Sequence, residues 1–119
     1  MPAKHLQHGQ QAEERARRYL GKQGLKLVTR NYRSPYGEID LIMRERETLV
    51  FVEVRFRRNQ AFGLAAETVD WRKQNKLRAT AEHYLQRNGK MRDRPCRFDV
   101  MAISGDNRNG TIDWYPDAF

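Results

Sequence analysis

A chain of 119 residues can bury one hydrophobic core and is too short for two. Its 39% hydrophobic and 32% charged residues exclude a disordered chain, its longest apolar runs of four residues (such as Leu49-Val50-Phe51-Val52) exclude a membrane-spanning helix, and its single cysteine, Cys96, excludes an intrachain disulfide and a cysteine-based zinc site. Lys plus Arg number 23 against 15 acids, a formal charge of +8, which points to a polyanionic partner because phosphate contacts release condensed counterions.

The N-terminal stretch, Met1 to Gln11, is polar and lacks the apolar core of a signal peptide, so a cytoplasmic location is expected and a membrane partner is not. From Leu6 to Lys22 the spacing of Ala12, Ala16, Tyr19 and Leu20 predicts an amphipathic helix, stopped by Gly21 and Gly24. His5 and His8 fall at its start; a metal-binding pair there competes with a simple frayed end, and the frayed end is the reading taken. Leu25 to Tyr32 reads as a short strand, and Ser34-Pro35-Tyr36-Gly37 as a turn. Glu38 to Met43 alternates, with Ile39, Leu41 and Met43 on one face and Glu38, Asp40 and Ile42 on the other. Thr48 to Arg57 is the strongest strand, apolar on both faces and therefore central. A loop over residues 59–64 leads to a long helix over 67–87, buried through Leu77, Ala81, Tyr84 and Leu85 and closed by Asn88-Gly89. A basic connector, a strand over Arg97 to Ile103, a turn over Gly105 to Gly110 and a marginal strand over Thr111 to Trp114 complete a single domain, 1–119. The order αβββαβ(β) implies an α/β fold with one mixed central sheet flanked by helices.

Two acids stand where acid is costly. Asp40 lies in an alternating apolar strand and Glu53 in the most hydrophobic one, so each needs a cation, from the protein or from a bound metal. Arg55, two residues after Glu53, shares its face. The hairpin between the two strands decides whether the acids meet. A two-residue turn at Arg46-Glu47 sets Asp40 opposite Glu53, and a four-residue loop sets the two diagonally. A three-residue loop separates them unless a bulge intervenes. If they meet, two carboxylates and a strand carbonyl such as that of Val54 suit Mg²⁺ or Mn²⁺, which prefer oxygen ligands and keep several waters. The competing reading is a partly buried Glu53–Arg55 ion pair with Asp40 at a strand edge.

Glu13 borders the apolar stripe of the first helix and can look toward the sheet, whereas Glu14 faces solvent. Lys73 shares the stripe of Leu77, with Gln74 nearby, and reaches either a phosphate or a carboxylate unless its stem merely covers the core. Basic residues follow the same elements: Arg55, Arg57 and Arg58 after the central strand, Arg72, Lys73, Lys76 and Arg78 on the helix, and Lys90, Arg92, Arg94 and Arg97 beyond it. They make a phosphate track or a solvated surface.

Gly9-Gln10-Gln11-Ala12-Glu13, Ala16-Arg17-Arg18-Tyr19-Leu20, Asn31-Tyr32-Arg33, Gly37-Glu38-Ile39-Asp40-Leu41-Ile42, Val50-Phe51-Val52-Glu53-Val54-Arg55 and Arg97-Phe98-Asp99-Val100 together resemble the YraN-like family of predicted bacterial endonucleases, over nearly the whole chain. The resemblance implies a restriction-endonuclease-like, PD-(D/E)xK core related to archaeal Holliday-junction resolvases. It implies metal-binding roles for Asp40 and Glu53, a water-mediated metal contact for Glu13, and a place beside the same site for Lys73 and Gln74. The pattern of that family ends Glu-x-Lys, and here it reads Glu53-Val54-Arg55. Arginine stays charged and cannot act as a base, so either Lys73 takes the lysine's place, activity is reduced, or the chain binds without cutting. The expected function is metal-dependent cleavage of DNA rather than RNA, on branched or junction substrates by family analogy, with a homodimer as the matching assembly. The alternatives are a nucleic-acid-binding module with a degenerate site and a protein that docks an acidic partner.

Overall fold

Thr48–Arg57, the most apolar segment, is the middle strand of a five-stranded sheet, as apolar residues on both of its faces require. The computed structural model describes residues 4–57, 69–105 and 110–119, with side chains from Gly9 onward and without that of Arg57. Helix α1 (Lys4–Lys22) is followed by β1 (Lys26–Ser34), β2 (Gly37–Glu45), β3 (Thr48–Arg57), α2 (Trp71–Arg87), β4 (Cys96–Ser104) and β5 (Thr111–Tyr115). The strands lie side by side in chain order; β3 and β4 run parallel and the other neighbours antiparallel. The parallel step needs a crossover, which α2 provides. This is the α/β arrangement expected of a restriction-endonuclease-like core, in the order αβββαββ. No helix among the described residues is long and apolar enough to cross a membrane.

Each face of the sheet carries one helix. Ala12, Ala16 and Leu20 of α1 pack on Leu41, Met43, Val50, Val52, Met101 and Ile103. Leu77, Ala81 and Tyr84 of α2 pack on Ile39, Ile42, Leu49, Phe51 and Val100 on the other face. A fully buried Leu or Ile of this kind contributes about 1.5–3 kcal/mol relative to exposure, so the two seams carry the fold.

Several boundaries differ from the sequence reading. The backbone of α1 is helical from Lys4, so His5 and His8 fall within its first turns; their side chains lie outside the described residues. Gly21 stays helical, and Gly24, at φ 100°, ends α1 as the Leu25 N–H donates back to the Leu20 carbonyl at 3.0 Å. Helix α2 starts at Trp71, not at residue 67, because the Asp70 carboxylate caps it by accepting from the Lys73 N–H at 2.9 Å. The expected loop over 59–64 lies outside the described residues.

The β2–β3 hairpin closes through the two-residue turn Arg46-Glu47, with Glu45 paired to Thr48. Arg46 takes φ 54°, a left-handed conformation costing a non-glycine residue about 1–2 kcal/mol. Pairing runs from there to Leu41–Val52 and stops. The strict alternation expected for β2 also stops there. Ile39 packs with Ile42 against α2 instead of joining Leu41 and Met43 against α1. Residues 39 and 41 thus face opposite ways, and the residue between them stands where β2 leaves its partner.

Candidate active site

That residue is Asp40. One of its carboxylate oxygens accepts a hydrogen bond from the Val54 backbone N–H at 2.8 Å, filling the gap that opens beyond the last β2–β3 pair. A strand residue sends its N–H and C=O to the same edge, so the Val54 carbonyl also faces β2. The even hairpin loop places Glu53 one step past Val52, next to Asp40. The Glu53 side chain is 6% exposed and is reached by two cations: Lys73 Nζ of α2 at 3.5 Å and Arg55 Nε at 3.9 Å. Glu53 and Arg55 therefore share a face, as their spacing requires, and Lys73 comes to that face from the helix above.

The electrostatics follow from this crowding. Burial, and then the charge of Glu53, push the Asp40 carboxyl up to about 7, against the stabilising Val54 N–H. Burial raises Glu53 as well, while Lys73 and Arg55 pull it down. Two buried carboxylates this close raise each other's proton affinity unless a positive charge offsets them, as Lys73 and Arg55 do in part for Glu53.

Asp40 also opens toward α1. A cleft of about 270 Å³ is lined by Gly9, Gln10 and Glu13 of α1 and by Asn31, Glu38 and Asp40 of the sheet. Burial, followed by the charges of Asp40 and Glu38, raises Glu13 to about 6. Its neighbour Glu14 is engaged instead by Arg17, Arg18 and Arg30 on the outer side, and the hydrogen bond from Arg17 holds it at about 2. Asp40 is thus the common wall between the α1 cleft and the Glu53–Lys73 pair.

Two residues of this cleft have no role in the sequence reading. Asn31, flanked by the pairs Arg30–Leu41 and Tyr32–Ile39, stands beside Asp40 on β1. Its φ is 52°, a region asparagine tolerates better than most residues. With its amide nitrogen turned to the acids, it donates to Glu13 at 3.2 Å and to Glu38 at 3.1 Å, bridging α1 to β2. The signal for it was present: an asparagine in mid-strand is disfavoured unless its side chain or backbone has a special task. Glu38 is visible in the alternation, but not its approach to Glu13.

Other expected site residues lie apart. Gln74 donates its amide to the Val69 carbonyl at 2.9 Å, which engages it with the entry to α2 rather than with the acids. Arg72 is exposed, with its guanidinium 5.5 Å from the Trp71 ring centre, and Lys76 is exposed beside Gly37. The side chain of Arg57 and the whole of Arg58 lie outside the described residues.

The model of the uncharacterised protein family UPF0102 matches residues 12–103, from within α1 to the penultimate residue of β4. The chain belongs to family UPF0102. Among its relatives, a UPF0102 protein of Nitrosococcus oceani is 50% identical over 118 residues, covering 99% of this chain and 95% of the relative. A UPF0102 protein of Saccharophagus degradans is 50% identical over 117 residues, covering 98% and 96%. A third, from Methylobacillus flagellatus, is 50% identical over 113 residues, covering 95% and 96%.

In this UPF0102 chain, the donor set tests whether a metal fits. Among the described residues no group of three or more His, Cys, Asp or Glu side chains is gathered as a ready-made cage. Two carboxylates and a strand carbonyl nevertheless match what Mg²⁺ or Mn²⁺ takes from a protein, the remaining positions being water. The Asn31 bridge gives a direct test. In Asn31→Gly, which keeps the backbone conformation, the midpoint of Glu13 is expected to rise above its present value of about 6, because the hydrogen bond that lowers it is gone. Side-chain carboxyl NMR measures this, and an unmoved midpoint would contradict the bridge. Asn31→Ala adds a stability loss of about 1–2 kcal/mol from its left-handed backbone.

Proposed function

We propose that this chain is a metal-dependent nuclease that hydrolyses phosphodiester bonds in DNA. The observation that carries the reading is the meeting of Asp40 and Glu53 at the point where β2 and β3 separate, with the Val54 backbone between them. Asp40, Glu53 and the Val54 carbonyl are the residues that would hold Mg²⁺ or Mn²⁺, and Glu13, which shares the α1 cleft with Asp40, would assist from its far wall. Bound there, the ion supplies Lewis-acid polarisation of a phosphoryl oxygen and a more acidic water. The protein's own contribution is charge and position. Lys73 and Arg55 neutralise Glu53 in the free protein and are placed to bind phosphate oxygens when substrate arrives. Arg55 cannot accept a proton, so Lys73, held at 3.5 Å from Glu53, is the residue that takes the place of the family's lysine. Arg72 and Lys76 extend the positive surface along α2 and position the backbone without reading sequence. A cytoplasmic location and a two-fold dimer acting on branched DNA belong to the same reading.

The test is a cleavage assay on linear, flapped and four-way DNA with Mg²⁺ or Mn²⁺. Lys73→Ala is expected to reduce the rate by about 10²–10³-fold, on the scale of losing one charge-stabilising donor. Arg55→Lys is expected to preserve or raise it. Binding that survives in wild type with no cleavage on any substrate would favour the degenerate binding module instead. Competition by unrelated DNA with a steep salt dependence would count against an acidic protein as partner.

A further inference from the structure

At the turn end of the β2–β3 hairpin, a second cleft of about 320 Å³ is lined by Gly24, Lys26, Arg44, Arg46 and Glu47. Lys26 and Arg44 are direct cross-strand partners on β1 and β2. Like charges facing each other across an antiparallel pair weaken the sheet. None of the three cations makes an ion pair with any described residue, in contrast to Arg17, Arg30, Arg33 and Arg97. Arg46 completes the cluster from φ 54°, at a turn position where glycine would sit without strain. Three cations around one cavity that pair with no described residue, two in a repelling register and one on strained backbone, make no sense as fold stabilisation. A backbone outlier of this kind is a pointer to function.

We propose that Lys26, Arg44 and Arg46 form a second phosphate-binding subsite, one that grips the nucleic-acid backbone at a distance from the Asp40–Glu53 centre. The inference rests on the nuclease reading for its ligand class. Arg44 lies four residues along β2 from Asp40 and Arg46 just past the end of that strand, about 13–20 Å away at ~3.3 Å per residue. At ~3.4 Å per nucleotide this spans roughly four to six nucleotides. Asp40 is therefore the cutting end and the turn the anchoring end of one track. Glu47, the acid on the same wall, limits the cluster's net charge, so an isolated anion binds weakly and a polymer held at both ends binds well.

The test measures binding of a labelled DNA duplex of about 25 base pairs, without divalent metal, across about 50–200 mM salt. Wild type is compared with Lys26→Gln/Arg44→Gln and with Arg46→Gly, which suits the backbone already present. The double variant is expected to bind roughly tenfold more weakly, with a salt slope shallower by about one to two, while its melting temperature is unchanged or raised. Arg46→Gly should lower the slope by about one and raise the melting temperature. Should the double variant fail to fold, Arg46→Gly decides alone. Variants with the wild-type slope overturn the subsite and leave the nuclease reading intact, whereas wild type that binds no nucleic acid overturns both. Inorganic phosphate shifting the Lys26 and Arg44 amide resonances while duplex does not would mark a free-anion site and also overturn the proposal. Tight binding by wild type without cleavage, lost in these variants, would support the subsite while removing the catalytic reading.

Discussion

Asp40→Asn is expected to stabilise the metal-free protein above neutral pH and, on the proposed nuclease reading, to abolish cleavage. The unfolded chain releases this proton near the ordinary value of 3.8, but the fold holds it to about 7. Between those values the folded state binds the extra proton, so stability is full below about pH 4 and falls as pH rises through 7. A shift of this size corresponds to at most a few kcal/mol, and Glu53, raised in the same direction, adds to it. Asparagine carries no charge and its carbonyl can still accept from the Val54 N–H. In calorimetry at pH 8 the variant should melt on the order of 5–10 °C above wild type, with the gap closing toward pH 4. Mn²⁺ should raise the melting temperature of wild type and leave the variant unchanged. Parallel pH profiles for the two proteins would show that the carboxylate is not strained, and the metal-site reading would lose its physical basis.

Asp99→Ala is expected to cost about 3–5 kcal/mol of stability, the scale of breaking a buried ion pair. The Asp99 side chain is fully buried in β4. It accepts from Arg97 Nε at 3.0 Å, from Trp114 Nε1 of β5 at 2.9 Å and from the Asp117 N–H at 2.9 Å. Arg97 in turn donates to Glu45 of β2 at 2.9 Å. One carboxylate thus ties the edge strand and the C-terminal turn to the middle of the sheet, and its removal deprives donors of Arg97, Trp114 and Asp117 of their acceptor. Urea unfolding should show a lower midpoint with an unchanged slope, and Asp99→Asn, which keeps one acceptor, should lose less. A loss below about 1 kcal/mol for the alanine variant would mean that the network contributes little.

Asp40, Glu53 and Asp99 look alike as letters: each is an acid inside an apolar strand. Their surroundings separate them. Asp99 is satisfied by donors from Arg97, Trp114 and Asp117, whereas Asp40 accepts from the Val54 N–H and stands against a second buried carboxylate. Only that contrast distinguishes an anchor from a candidate reaction centre.

The sequence by itself determined the two helical stripes, the central place of Thr48–Arg57 and the α/β order, because these rest on periods of 3.6 and 2 that neighbouring residues carry locally. It also narrowed the hairpin to an even loop or a bulged odd one if the acids were to meet, and a two-residue turn is what forms. Tertiary structure alone decided that β2 breaks its alternation at Asp40, that Asn31 bridges Glu13 to Glu38, and that Lys73 rather than Gln74 reaches Glu53. These contacts join residues far apart in the chain or depend on where two strands part. They are set by how the helices press on the sheet, a balance of packing and buried charge that no local pattern encodes.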